Sequence, residues 1–178
     1  MVNYIFYWVL RIAAGIAVFY AVVLVTNYRF DNLKTNNSNQ KYVTMAEREK
    51  QLVCLAKNIY FEAATEPFEG KVAVAQVTLN RAESGKFPQD ICDVVFQKTR
   101  FLDKVVCQFS WYCEPGPKVV RSNQNYTESE LVAKKVLLEN FRLPSLEKAM
   151  YYHADYVNPN WNKPKITKIG RHIFYGER

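Results

Sequence analysis

Histidine is scarce in this chain: among 178 residues only His153 and His172 occur. Their spacing matches no zinc motif of the H-E-x-x-H kind. They could form a metal site only if the fold brought them together with Asp155 or Glu62, so neither a metal nor a cofactor is expected. Basic runs are missing too. The formal net charge is +7, but the Lys and Arg residues are interspersed with acids, as on a solvated surface, which argues against nucleic acid as a partner. Part of the excess belongs to Arg11, Arg29, Lys34 and Lys41, offset by Asp31, near the N-terminus. The remainder is mildly basic and would suit an anionic polymer. No pair of cysteines has the C-x-x-C spacing of a zinc ribbon or redox motif. Cys54, Cys92, Cys107 and Cys113 make an even number, which permits disulfides in an oxidising compartment. Three connectivities are open. Cys107 and Cys113 are closest in sequence, and a bridge between them would tie the loop from Gln108 to Tyr112; all four could equally be small buried hydrophobes. There is no internal repeat.

The one long apolar segment comes first. From Val2 to Thr26 the only formal charge is Arg11, and residues 12–25 are apolar throughout, enough to span a hydrocarbon core of about 30 Å. Residues 1–28 therefore read as one N-terminal transmembrane helix, with Arg11 snorkelling to the interface and Tyr4, Tyr7, Trp8 and Tyr28 in the aromatic belts. No small-residue cleavage site follows at Leu24-Val25-Thr26-Asn27, which disfavours a cleaved signal peptide. A buried core helix is disfavoured because only a polar stretch comes next. Basic residues flank the span almost evenly, so its orientation depends on where the substrate lies. Residues 29–44 are polar, Asn-rich and aperiodic, the marks of a flexible linker, which leaves 45–178 as the folded domain.

Within that domain, Thr44 followed by Glu47 reads as a capping box. Leu52, Leu55, Ala56, Ile59 and Ala63 then recur at helical spacing. Pro67 and Gly70 interrupt the pattern. Residues 71–81 are apolar nearly all round, as in a central helix, although their Val-rich alternation also allows a strand. Pro88 can open a short helix through Phe96, residues 98–126 read mostly as loop, and Thr127–Glu130 is a second capping box leading into a helix that Pro144 bounds. The tail from Tyr151 to Tyr175 is aromatic and β-branched, with a small hairpin around Gly170. The fold class is mainly α with a minor β element (α+β).

Glu62 stands out chemically. It lies roughly 80° from the centre of the apolar stripe, on its shoulder, where a carboxyl is partly desolvated and its pKa rises toward the range of a general acid. A solvated helix-end glutamate is the plainer reading of the same pattern. Glu66 and Glu69 follow and could cap the next helix. Gln108-Phe109-Ser110-Trp111 brings an amide, a hydroxyl and an indole together, the groups that hold amide-bearing sugars, or else a loop anchored by Phe109 and Trp111. Tyr151, Tyr152, Trp161 and Tyr175 could line a saccharide groove, beside His153. Arg81 either neutralises a helix end or pairs with a carboxylate.

Residues 58–81, with Ile91-Cys92-Asp93-Val94-Val95-Phe96-Gln97, Gln108–Trp111, Tyr152-His153-Ala154, Asn158–Trp161 and Ile169–Tyr175, resemble the SleB/CwlJ-type cell wall hydrolases over residues 52–175. The resemblance implies a domain like lysozymes and lytic transglycosylases, with peptidoglycan as partner. It places Glu62 on the family's Tyr-x-Glu position, as catalytic acid and base, and Glu66 on a further acidic position. It also implies glycan cleavage by one glutamate, with water or the sugar's own C6 hydroxyl as nucleophile. Gln108, Ser110, Trp111, Tyr151, Tyr152 and His153 are then the candidate substrate contacts, with Glu66. The expected location is the cytoplasmic membrane, single-pass, with the domain facing the periplasm or wall. A phage lysis enzyme or a bacterial wall-remodelling enzyme fits that layout better than spore germination. Two alternatives are a zinc-dependent amidase using His153 and His172, and a non-catalytic envelope-binding protein.

Overall fold

The computed structural model describes residues 2–39 and 44–178. By internal contacts the chain divides into residues 1–43 and residues 44–178. In the first unit, helix α1 runs Val2–Asn39. The break into an irregular linker expected at Arg29 does not occur before Asn39, since residues 29–39 contain neither proline nor glycine to stop a helix. Among the described residues no helix is long and apolar enough to cross a membrane. The transmembrane helix expected over residues 1–28 is therefore not supported.

In the second unit, α2 (Met45–Ala63) starts at Thr44, whose hydroxyl accepts from the Glu47 N–H at 3.1 Å. Its stripe of Leu52, Leu55, Ala56, Ile59 and Ala63 is buried. The segment that could have been a strand is helix α3 (Phe68–Glu83), and its all-round apolar character has a simple cause. Val72, Ala75 and Leu79 pack into the main core with α2. Ala73 and Val77 face a second core with Leu146, Ala149 and Phe174. The short helix α4 (Ile91–Val95) is capped by Asp90 rather than opened by Pro88.

Residues 98–126, expected to be mostly loop, contain an antiparallel hairpin, β1 (Lys98–Phe101) and β2 (Lys104–Cys107), and a helical turn, α5 (Ser110–Cys113). Helix α6 (Asn123–Leu137) begins at Ser122, whose hydroxyl accepts from the Asn125 N–H, so the turn before Thr127 is already helical. The expected hairpin around Gly170 is present as β4 (Lys165–Ile169) and β5 (His172–Tyr175). A third strand, β3 (Tyr151–Ala154), pairs with the other edge of β5, giving the order β3-β5-β4, all antiparallel.

Two disulfides brace this unit. Cys54–Cys92 joins α2 to α4, and Cys107–Cys113 closes the loop that carries Gln108 to Tyr112.

Candidate active site

Helix α2 delivers Glu62 in its last turn, next to its final residue Ala63, on the shoulder of the buried stripe. Tyr152 of β3 reaches it across 90 residues of sequence and donates its hydroxyl to Glu62 Oε2 at 2.9 Å. Burial pushes the Glu62 carboxyl up from 4.5 to about 7; the Tyr152 hydrogen bond and the Arg81 charge pull the other way, and the Glu114 carboxylate adds to the rise. Desolvation wins because the opposing donors are few. Tyr152 is itself raised well above its ordinary value, first by burial and then by the Glu62 charge, so it remains a protonated donor. Its ring packs edge-on against His172 and at a tilt on Phe174.

Arg81, only 4% exposed, stands behind the pair. Burial lowers its pKa, and the Tyr152 and Glu62 charges oppose that shift. Its Nε donates to the Met150 carbonyl at 2.8 Å, and its guanidinium lies 4.9 Å from the Phe109 ring centroid. With its amide oxygen turned inward, Gln108 accepts from Nη1 at 3.3 Å and Nη2 at 3.2 Å. Polar residues of α3 also fix the approach to β3. Gln76 makes a two-way pair with the Leu143 backbone, and Asn80 donates to the Leu146 and Ala149 carbonyls. The segment preceding Tyr152 is thus pinned to α3 by side chains that satisfy backbone groups otherwise buried unpaired.

The sequence candidates separate into groups. Glu62, Tyr152 and, through Arg81, Gln108 come together. Glu66 is engaged by the sheet: its Oε2 accepts from the Arg171 N–H at 2.9 Å at the β4–β5 turn. Gly170 is required there, because a Cβ would lie 1.9 Å from that oxygen and the backbone has φ +55°. Trp111 is a core residue, 6% exposed, donating Nε1–H to Asn58 Oδ1 at 2.9 Å and stacked on Phe61 at 4.5 Å. The Ser110 hydroxyl donates to Glu114 Oε1 at 3.1 Å on the surface.

Strand alternation sorts the rest. Tyr152 lies opposite Phe174 and faces the helices, whereas Tyr151 and His153 lie opposite Tyr175 and Ile173 on the other face. There His153 Nε2 shares a hydrogen bond with the Tyr175 hydroxyl at 2.9 Å, and Trp161 packs edge-on to Tyr151, His153 and Tyr175. His172 is opposite Ala154, on the inner face, so the two histidines point to opposite sides of the sheet and cannot share a zinc ion. Among the described residues no group of three or more His, Cys, Asp or Glu could hold a metal ion. Sequence reasoning gave Gln76 and Asn80 no part in the site, although both stand as polar residues in an otherwise apolar helix.

Fold and site define a mainly helical domain with small β elements and a carboxyl, Glu62, desolvated by burial. Residues 65–175 match the model of the Cell Wall Hydrolase family, and the chain belongs to that family. It is 33% identical over 124 residues to the spore cortex-lytic enzyme of Bacillus subtilis, covering 67% of this chain and 35% of that protein. With the spore cortex-lytic enzyme of Halalkalibacterium halodurans the identity is 32%, covering 67% and 33%. The chain thus spans about a third of the length of these relatives. The crystal structure of the catalytic domain of the Bacillus cereus SleB protein superposes with a TM-score of 0.53 at 31% identity, covering 71% of this chain and 90% of that one. The catalytic domain of the germination-specific lytic transglycosylase SleB from Bacillus anthracis gives 0.50 at 30%, covering 70% and 93%.

Proposed function

We propose that the domain degrades peptidoglycan by cutting its glycan strand, with Glu62 as general acid and then general base. The observation that carries this reading is a carboxyl desolvated to a pKa of about 7 at the end of α2, able to hold a proton at neutral pH and to release it in the reaction. Protonated Glu62 gives its proton to the glycosidic oxygen as the bond to the anomeric carbon breaks. Tyr152 and Arg81 then hold the carboxylate that forms, by a hydrogen bond and by charge. That carboxylate next takes a proton from the nucleophile attacking the oxocarbenium-like carbon, either water or the sugar's own C6 hydroxyl. The likeness to the Bacillus anthracis lytic transglycosylase favours the C6 hydroxyl, a route that needs no partner carboxylate.

The zinc amidase alternative is disfavoured by the opposed faces of His153 and His172. The two disulfides favour work in an oxidising compartment such as the periplasm or the wall. Placement at the cytoplasmic membrane is carried by the sequence of residues 1–28 alone. Mass spectrometry of digested peptidoglycan tests the chemistry: anhydromuramoyl ends are expected, reducing ends would redirect the proposal to hydrolysis, and free peptides would overturn it. A Glu62→Gln variant that still solubilises sacculi at the wild-type rate would remove Glu62 from its role.

A further inference from the structure

The β1–β2 hairpin is built at odds with its surroundings. Every described residue from Lys98 to Val106 is exposed, Val105 and Val106 on opposite faces alike, so the ribbon stands clear of the body. Two-stranded ribbons are marginal in water, and among the described residues this one is secured at its base. There the Gln108 N–H donates to the Gln97 carbonyl at 2.9 Å, Cys107 is bridged to Cys113, and Lys98 Nζ lies 4.5 Å from the Tyr112 ring centroid. At the tip, Phe101 pairs with Lys104 around a two-residue turn. Leu102, its first residue, has φ +52° and is 83% exposed. That position favours glycine. A leucine there accepts backbone strain while offering its side chain to solvent.

The ribbon is also cationic, with Lys98, Arg100 and Lys104 against Asp103 alone, and it grows out of the site. From Glu62 the contacts run through its neighbour Phe61 to Trp111 and on through Tyr112 to Lys98. At the other end of the loop, Gln108 follows β2 directly and reaches Arg81.

Building on the glycan-cleaving reading, we propose that this hairpin is a substrate arm that holds the carboxylate-bearing peptide stems of peptidoglycan beside the scissile bond. Lys98, Arg100 and Lys104 meet the stem carboxylates, and Leu102 and Val105 meet their aliphatic parts. The arm would select strands that carry peptides over strands whose acids are masked.

The test compares native sacculi with sacculi whose carboxylates have been converted to amides by carbodiimide and ammonia. Wild-type protein should show a KM about tenfold lower on native sacculi, the scale of a few exposed charge pairs, with kcat little changed. The Arg100→Gln/Lys104→Gln variant, whose ribbon carries no net charge, should lose that preference and behave alike on both substrates. Leu102→Gly should raise Tm by relieving the turn yet raise KM on native sacculi, a pair of signs that a purely structural role does not produce. Co-sedimentation of Glu62→Gln protein with the two kinds of sacculi reads binding without turnover, so the arm is judged even if Glu62 proves dispensable. Equal losses on both substrates, or a defect confined to binding of phosphatidylglycerol vesicles, would overturn the proposal.

Discussion

Glu62 is held in its native place against its own chemistry, and that opposition can be measured. Its folded pKa of about 7 stands above its ordinary value of 4.5. Below about pH 4.5 both states carry the proton and burial has no electrostatic penalty. Between 4.5 and 7 the unfolded chain releases the proton while the folded domain keeps it, so stability is lost as pH rises. Above 7 the loss levels off at about 3 kcal/mol. Glu62→Gln keeps the shape and removes the titration. The variant should therefore match wild type near pH 4 and exceed it by about 3 kcal/mol at pH 8, which raises Tm by roughly 10 °C for a domain of this size. Its activity should fall by about 10²-fold or more, the scale of a lost general acid. The assay is urea or thermal unfolding of both proteins from pH 4 to 8, paired with solubilisation of sacculi. A stability difference that does not change with pH, or a variant less stable at pH 8, would refute the reasoning. A stable and still active variant would refute the catalytic role.

Tyr152→Phe removes the donor that opposes the rise in the Glu62 pKa, and a hydrogen bond to a charged group is worth about 1.5–3 kcal/mol; the basic limb of the pH–rate profile should move up by about one to two pH units, and a limb that stays put or moves down counts against Glu62 as the acid. Gly170→Ala should destabilise the domain by more than about 2 kcal/mol, from strain at φ +55° together with the clash on Glu66; a Tm within a degree of wild type would contradict the account of that turn. Of the two disulfides, the chain-entropy view gives about 4 kcal/mol to Cys54–Cys92, separated by 38 residues, and about 2 kcal/mol to Cys107–Cys113, separated by 6. Cys54→Ala/Cys92→Ala should accordingly lower Tm more, whereas Cys107→Ala/Cys113→Ala should reduce activity more than stability, because its loop holds Gln108 and Phe109 against Arg81. The reverse ranking in Tm and activity would show that the short bridge serves only the fold.

Local pattern was enough for the helices that make the core. The spacing of Leu52, Leu55, Ala56, Ile59 and Ala63 encodes the buried face of α2 and puts Glu62 on its shoulder, because helical periodicity is a property of consecutive residues. The Thr44 cap is equally local. Where the signals were local but ambiguous, tertiary packing decided: α3 is a helix apolar on all sides because it lies between two cores, which no window of eleven residues reveals. The β1–β2 ribbon escaped notice because its strands are short and its turn lacks the usual glycine, leaving only Leu102-Asp103 where a turn signal would stand. The site itself is a product of distance. Tyr152 meets Glu62 across 90 residues, and whether Tyr151 or Tyr152 faces the carboxyl depends on the register of β3 against β5, where a shift of one residue exchanges the two faces. The same register separates His153 from His172, and the turn at Gly170 engages Glu66 through its Oε2. Sequence by itself determined which residues could be buried or ionised; only the tertiary structure decided which of them meet, because desolvation and hydrogen bonding depend on neighbours that the chain brings together only by folding.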